Sequence, residues 1–134
     1  MDFLGLRTLT VIRDAVAMIE KSKGVHIDID NIDYDDKKVL ASIGTGKTDG
    51  VFQLESGGMK NFMKELKPQN LEDVIAGISL YRPGPMDFIP KYIDGKNNPQ
   101  NITYSCPQLE SILAPTYGCI VYQEQVMQIV RELA

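Results

Sequence analysis

Two cysteines and one histidine are all that this 134-residue chain offers to a soft metal or a disulfide. Cys106 and Cys119 are far apart in sequence, no Cys-x-x-Cys pair occurs, and His26 stands alone. That excludes a disulfide-stapled secreted scaffold and has the wrong spacing for structural zinc; two reduced, partly buried thiols are expected. No apolar run comes near the ~18 residues needed to cross a bilayer. The opening MDFLGLRTLT lacks the basic-then-apolar order of a signal peptide. The reading is a soluble chain of the cytoplasm, without a membrane partner. Basic charge is also short. Eighteen acidic residues against fourteen basic ones leave a net charge of −4, which excludes nucleic-acid binding by bulk cationic field. Any nucleic-acid role must be local, or must borrow charge from elsewhere in a larger protein. Eleven Gly and seven Pro are ordinary usage, and 43% hydrophobic with 24% charged residues excludes collagen, low-complexity and disordered classes. One domain with one core is expected.

What is present reads mainly as helix. Leu9, Ile12, Val16 and Ile19 recur at helical spacing, with Thr8 as the expected cap, Lys21 and Lys23 in the last turn and Gly24 as the stop. Residues 25–36 are an acidic loop. Asp35 is expected to cap a short helix from Asp36 to Ile43 that ends at Gly44. After the loop 44–50, Val51–Leu54 is a short extended entry. Ser56 caps a helix through Leu66 with Met59, Phe62, Met63 and Leu66 as its apolar stripe, ended by Pro68. Asn70 starts another helix with Asp73 completing a capping box, and Val74, Ile75, Ile78 and Leu80 form its buried side. Arg82-Pro83-Gly84-Pro85 is a rigid turn, since each proline fixes its φ. Residues 86–95 hold one or two helical turns around Pro90, and 96–104 are loop. Ser105 or Cys106 caps a helix through Leu113 with Pro107 at its start. Tyr117 to Tyr122 is extended, and Gln123 to Ala134 is helical with no closing signal. The expectation is at least five helices, one or two short strands, and both ends cut from a longer chain.

Several patterns tempt toward chemistry. Gly44-Thr45-Gly46-Lys47-Thr48 resembles a phosphate loop, but G-x-x-x-x-G-K-[ST] needs Gly where Ala41 stands, and a strand where helix is expected; a turn is the better reading. Asp28, Asp30, Asp33, Asp35 and Asp36 lack the EF-hand glycine, whose place Asp33 takes, so a solvated loop is favoured. Lys60, Lys64 and Lys67 share one helix face opposite the apolar stripe, which is usually the wet side and in a minority of cases a phosphate contact. Met59, Met63 and Met127 read as core filler. Gln53 and Ser56 at one helix entry, and Tyr122, Gln123 and Gln125 at another, either satisfy backbone groups or face a ligand.

Four stretches taken together resemble one family: DFLGLRTLT (2–10), GVFQLESGGM (50–59), LYRPGPM (80–86) and TYGCIVYQEQVMQI (116–129). In this order and spacing they identify the chain as similar to the alpha subunit of bacterial DNA polymerase III, the C-family replicative polymerases. The resemblance implies a parent that extends primers by two-metal nucleotidyl transfer in chromosomal replication, with Mg2+ held by three aspartates of a palm related to polymerase beta. By the D-F-L-G-L match, Asp2 corresponds to the third of those metal ligands and is catalytic. The other two are expected in an upstream Asp-x-Asp that HIDIDNID (26–33) imitates but, lying after Asp2, does not supply. Residues 1–4 would close the last palm strand, and 5–134 would form the N-terminal part of a largely helical fingers domain. The resemblance places Gln53, Ser56, Arg82, Tyr122 and Gln123 toward nucleotide and template, and lets Lys60, Lys64 and Lys67 meet DNA phosphate. Arg82 is the best single candidate, a guanidinium on a proline-fixed turn. Partners would be primer–template DNA, a dNTP, and replisome subunits such as the sliding clamp through other regions. Further basic groups for the triphosphate would lie beyond Ala134. Met1 and Cys106 depart from the family, which usually has Phe and His there. One chain with one metal ligand is expected to be inactive alone. The rival class is a small helical adaptor with no enzymatic parent.

Overall fold

The computed structural model describes residues 5–133, and the chain divides into two units, Met1–Asp33 and Tyr34–Ala134. Asp2, the expected metal ligand, and the expected palm strand 1–4 lie outside the described residues. Among the described residues there are seven α-helices, three short 3₁₀ turns and no strand. The mainly helical architecture is the expected one.

The first unit contains α1, Arg7–Lys23. Leu6 is its last extended residue (φ −101°, ψ 111°), so the helix starts one position before Thr8, and no side chain caps it. Its end is as the sequence predicts: Gly24 turns left-handed at φ 65° and its amide donates to the Glu20 carbonyl, with Lys21 and Lys23 beside the negative end of the helix dipole. No residue of α1 is buried. Leu9, Ile12 and Val16 line an open groove together with Ile27 and Ile29. In the acidic loop, Asp28 accepts from the Asp30 amide at 3.1 Å and the Asn31 side chain at 2.6 Å. That Asn31 bond, the largest influence, holds the Asp28 carboxyl below its ordinary range. Among the described residues no cluster of three or more His, Cys, Asp or Glu could hold a metal ion.

The second unit carries α2 (Lys37–Gly44), α3 (Gly57–Leu66), α4 (Leu71–Leu80), α5 (Ile89–Asn97), α6 (Gln108–Leu113) and α7 (Gln123–Leu133). Asp36, not Asp35, caps α2, accepting from the Lys38 and Val39 amides at 2.8 and 3.3 Å. Ser56 caps α3 and Asn70 caps α4, as their sequences predict. The α3 stripe Met59, Phe62, Met63 and Leu66 is buried and joins Leu54, Ala76, Leu80, Tyr92 and Cys119 in one core. Burial of each such large side chain is worth about 1.5–3 kcal/mol.

Several expectations are corrected. The buried face of α4 is Asp73, Ala76, Gly77 and Leu80, with Ile75 exposed, because small residues let α4 approach α3 closely. Met127 is exposed rather than core. Val51–Leu54 is a turn: the Leu54 amide donates to the Val51 carbonyl, and the Thr48 hydroxyl donates to the Leu54 carbonyl. Tyr117 and Gly118 sit at positive φ (52° and 77°), which breaks the expected extended run at its start. The span 96–104 is partly helical, since α5 reaches Asn97 and a 3₁₀ turn covers Pro99–Asn101. Pro107 precedes α6 without any side-chain cap from Ser105 or Cys106.

A buried ion pair fastens three helix ends together. Lys96 on α5 donates to Asp73 at 2.7 Å and to the Leu66 and Lys67 carbonyls at 2.9 and 3.1 Å. The same Asp73 oxygen accepts from the Gln69 amide at 2.8 Å. The expected capping box is only half made: Asn70 accepts from the Asp73 amide, but the Asp73 carboxylate accepts from Gln69, one residue before the cap, instead of from the cap itself. Asp73 ties the start of α4 to the end of α3 and to α5, and the ammonium sits where the C-terminal carbonyls of α3 concentrate negative charge.

Candidate functional site

The turn after α4 is built tightly. Tyr81 (φ −78°, ψ 60°) has the inverse γ conformation, with the Arg82 amide donating to the Leu80 carbonyl at 2.8 Å. The Arg82 carbonyl then accepts from the Met86 amide at 3.1 Å, closing the loop over Pro83, Gly84 and Pro85. Gly84 sits at φ 99°, a value that side-chain-bearing residues rarely adopt. Arg82 is exposed and forms no ion pair among the described residues. The guanidinium is thus free on a backbone that is not.

Tyr81 places this turn against α3. Its ring stacks on Phe62 with centroids 6.1 Å apart and planes at 20°. Its hydroxyl end runs along the helix to Gly58, where an added Cβ would lie 1.7 Å from the tyrosine oxygen. Tyr81 thus fixes the turn that carries Arg82 against α3, whose cap is Ser56 and whose approach loop contains Gln53. Gln53 is exposed and left-handed at φ 65°, a strained position for a residue other than glycine. The Ser56 side chain accepts from the Met59 amide at 3.3 Å and so is committed to capping. Among the predicted residues, Gln53 and Ser56 share the approach to α3, and Arg82 follows the tyrosine that packs on that helix.

Tyr122 is not part of that group. It is half-buried against the core, and its phenol is pushed above its ordinary range by burial first and by the charges of Glu72 and Asp73 second. Those acids lie in the first turn of α4, whereas Arg82 follows its last. A ten-residue helix is about 15 Å long. Gln123 is exposed at the start of α7. The polar residue that matters structurally there is Gln125. It is buried, accepts from the Val121 and Tyr122 amides, and donates to the Ile112 carbonyl and the Thr116 hydroxyl. Between the two roles the sequence left open, Gln125 takes the structural one.

The three lysines part ways. Lys60 is paired with Asp49, whose carboxyl it holds below the ordinary range. Lys64 lays its aliphatic stem over Gly46, where a Cβ would meet its Cε at 2.5 Å, leaving the residue exposed. Lys67 is exposed at φ 47°, closing α3. The loop Gly44-Thr45-Gly46-Lys47-Thr48 is a helix-ending turn: Gly46 is left-handed at φ 70°, and the Thr45 and Gly46 amides donate back to Ser42 and Ile43. Its amides do not converge as a phosphate loop requires.

Sequence reasoning missed Lys96 and the contact between Gly58 and Tyr81. Neither has a local signature, because each acts through a neighbour distant in sequence. Asp73 alone gave a partial signal, through its capping spacing.

Comparison with known proteins agrees with the resemblance. The sequence model of the family described as the bacterial DNA polymerase III alpha subunit finger domain matches residues 8–134. The chain is 48% identical over all 134 residues to the DNA polymerase III subunit alpha of Staphylococcus aureus strain COL, and 48% identical to that of Staphylococcus epidermidis. It spans 13% of the length of each of these relatives. A match of this extent favours the polymerase reading over a free-standing adaptor. The chain belongs to the finger-domain family of bacterial DNA polymerase III alpha subunits.

Proposed function

We propose that this chain forms part of the fingers of a DNA-directed DNA polymerase that extends primers in bacterial chromosome replication. The observation that carries the reading is identity across the whole chain, with the fingers match beginning at residue 8. Within the chain, the proline-fixed Arg82 is the group best suited to a phosphate of the incoming nucleotide or the template. Its planar fork matches an anion in two hydrogen bonds, and the turn fixes the backbone from which it reaches. Gln53 and Ser56, at the entry to α3, are proposed to face the nucleotide or template as well. Lys64 and Lys67 add positive charge for DNA phosphate, while Lys60 contributes less because Asp49 already neutralises it. Tyr122 and Gln123 would meet template or nucleotide from the start of α7.

The described residues do not by themselves furnish a magnesium site. When bound in the intact polymerase, the two metals would stabilise charge on the attacking and leaving oxygens of nucleotidyl transfer. Asp2 is proposed as one of the carboxylates that hold them, with the others supplied from outside this chain. The isolated chain is accordingly inactive, and its net charge of −4 gives weak affinity for primer–template. Primer–template DNA, dNTP and further replisome subunits, the sliding clamp among them, are partners of the whole polymerase. No described helix is long and apolar enough to cross a membrane. A cytoplasmic location follows from the polymerase reading alone.

The test is Asp2→Ala in a full-length alpha subunit carrying this chain. Primer extension should be abolished while circular dichroism and the unfolding midpoint stay unchanged. Retained synthesis would overturn the assignment of Asp2, and nucleotide incorporation by the isolated chain would overturn its predicted inactivity.

A further inference from the structure

Two glycines face each other's helices across the α3–α4 contact. On α3, Gly58 leaves room for Tyr81 of α4: a Cβ there would lie 1.7 Å from the phenol oxygen and 2.8 Å from the ring carbon bearing it. On α4, Gly77 leaves room for α3: a Cβ there would lie 2.7 Å from Met63 Cε and 3.0 Å from a Leu66 methyl. The first contact is the stiffer of the two. A methionine end can swing aside, but the Tyr81 ring is already held by its stack on Phe62, one helical turn along from Gly58. A side chain at 58 therefore cannot be accommodated without lifting Tyr81, and lifting Tyr81 moves the residue that follows it.

We infer that Gly58 and Tyr81 are positioning residues: their contact sets the register of α4 on α3 and thereby fixes where the Arg82 turn leaves α4. Three observations support this. Tyr81 ends α4 in an inverse γ-turn whose hydrogen bond passes directly to the Arg82 amide. The turn has little freedom to compensate, since Pro83 and Pro85 fix their own φ and the Arg82 carbonyl is bonded to the Met86 amide. Gly58 is not needed for backbone conformation, because it lies within a regular helix at ordinary φ. An in-helix glycine costs about 0.5–1 kcal/mol relative to alanine, so space for Tyr81 is the reason that remains.

The inference rests on the proposed role of Arg82, and the experiment separates the two. Steady-state primer extension by a full-length alpha subunit carrying this chain is measured for Arg82→Ala, Gly58→Ala, Tyr81→Phe and the Gly58→Ala/Tyr81→Phe pair. KM for dNTP and for primer–template are read apart from kcat. Gly58→Ala should raise the same KM that Arg82→Ala raises, by about fivefold or more, a coupling of the size seen between residues in contact. Tyr81→Phe should stay near the parent value. The pair should recover part of the loss, because removing the phenol oxygen takes away the 1.7 Å overlap and leaves the lesser 2.8 Å approach to the ring. A general loss of folding would lower active enzyme and kcat without this selective, rescuable change in KM. If Arg82→Ala raises a KM and Gly58→Ala does not, or the pair shows no recovery, the positioning role is overturned. If Arg82→Ala changes neither KM, the proposed role of the turn fails, and the positioning role falls with it.

Discussion

The Gln125 side-chain amide donates to the Thr116 hydroxyl at 2.8 Å, joining the first turns of α7 to the segment that follows α6. The Thr116 hydroxyl in turn donates to the Cys119 carbonyl at 2.6 Å. The Gln125 carbonyl oxygen accepts from the Val121 and Tyr122 amides at 2.9 and 3.0 Å, so one buried side chain satisfies the backbone on both sides of a sharp bend. Buried polar groups that are partnered in this way become costly when one member is removed.

Gln125→Ala should therefore destabilise the chain by about 2–3 kcal/mol, since it leaves buried amides and a carbonyl unmatched. Exposed Gln123→Ala, two positions earlier, should change stability by no more than about 0.5 kcal/mol. Urea unfolding of the two variants checks the contrast, and equal effects would mean that the bend is held by something else.

The Lys96–Asp73 pair should behave as a buried one. Lys96→Met strands the Asp73 carboxylate, whose side chain is 2% exposed, and should cost about 3–5 kcal/mol. Removing the exposed Asp49 from Lys60 should leave the thermal midpoint unchanged within error, because an exposed pair is screened by solvent. Thermal unfolding followed by circular dichroism distinguishes them.

Alkali should weaken the fold. Burial raises the phenols of Tyr92, Tyr117 and Tyr122 and the thiol of Cys119 above their ordinary values. Below about pH 8.5, where the unfolded thiol and phenols still hold their protons, both states are protonated and the full stability is present. As pH rises above it, the unfolded chain releases protons that the folded chain keeps, so stability falls. The loss should begin near pH 9 as the unfolded thiol titrates, and steepen above pH 10. Tyr92→Phe should flatten the steep part, and denaturant midpoints across pH 7–11 read it directly.

Lys67 ends α3 in the left-handed region at φ 47°, where glycine carries no Cβ penalty. Lys67→Gly should stabilise the chain by about 1 kcal/mol, seen as a higher midpoint in urea. A lower midpoint would show that the Lys67 side chain carries a contact worth more than the strain.

How much of this was legible in the sequence depends on how far each signal reaches. Ser56, Asn70 and Gly24 mark helix ends because capping is decided within three or four residues. The α3 stripe was readable because its whole buried face follows one period. The α4 face was legible in part: Leu80 is buried and Ile78 packs on the core as its spacing indicates, but the same periodicity included the exposed Ile75 and passed over Ala76 and Gly77, which close packing on α3 selects. The expected strands at Val51–Leu54 and Tyr117–Tyr122 failed for a related reason. β-branched and aromatic residues favour extension only when a partner strand is present, and the positive φ of Gln53, Tyr117 and Gly118 turns the chain instead. At the candidate site, Arg82 stood out by its flanking prolines, but Tyr81 over Gly58 joins residues more than twenty positions apart. No local pattern encodes that contact.

The most direct measurement of the central claim is the kinetics of Arg82→Ala and Arg82→Lys in a full-length alpha subunit carrying this chain, with folding verified by circular dichroism. The account predicts that alanine raises KM for dNTP or for primer–template by about tenfold or more. Lysine should restore only part of that, because a point charge cannot reproduce a two-pronged guanidinium contact. Unchanged Michaelis constants in both variants would contradict it.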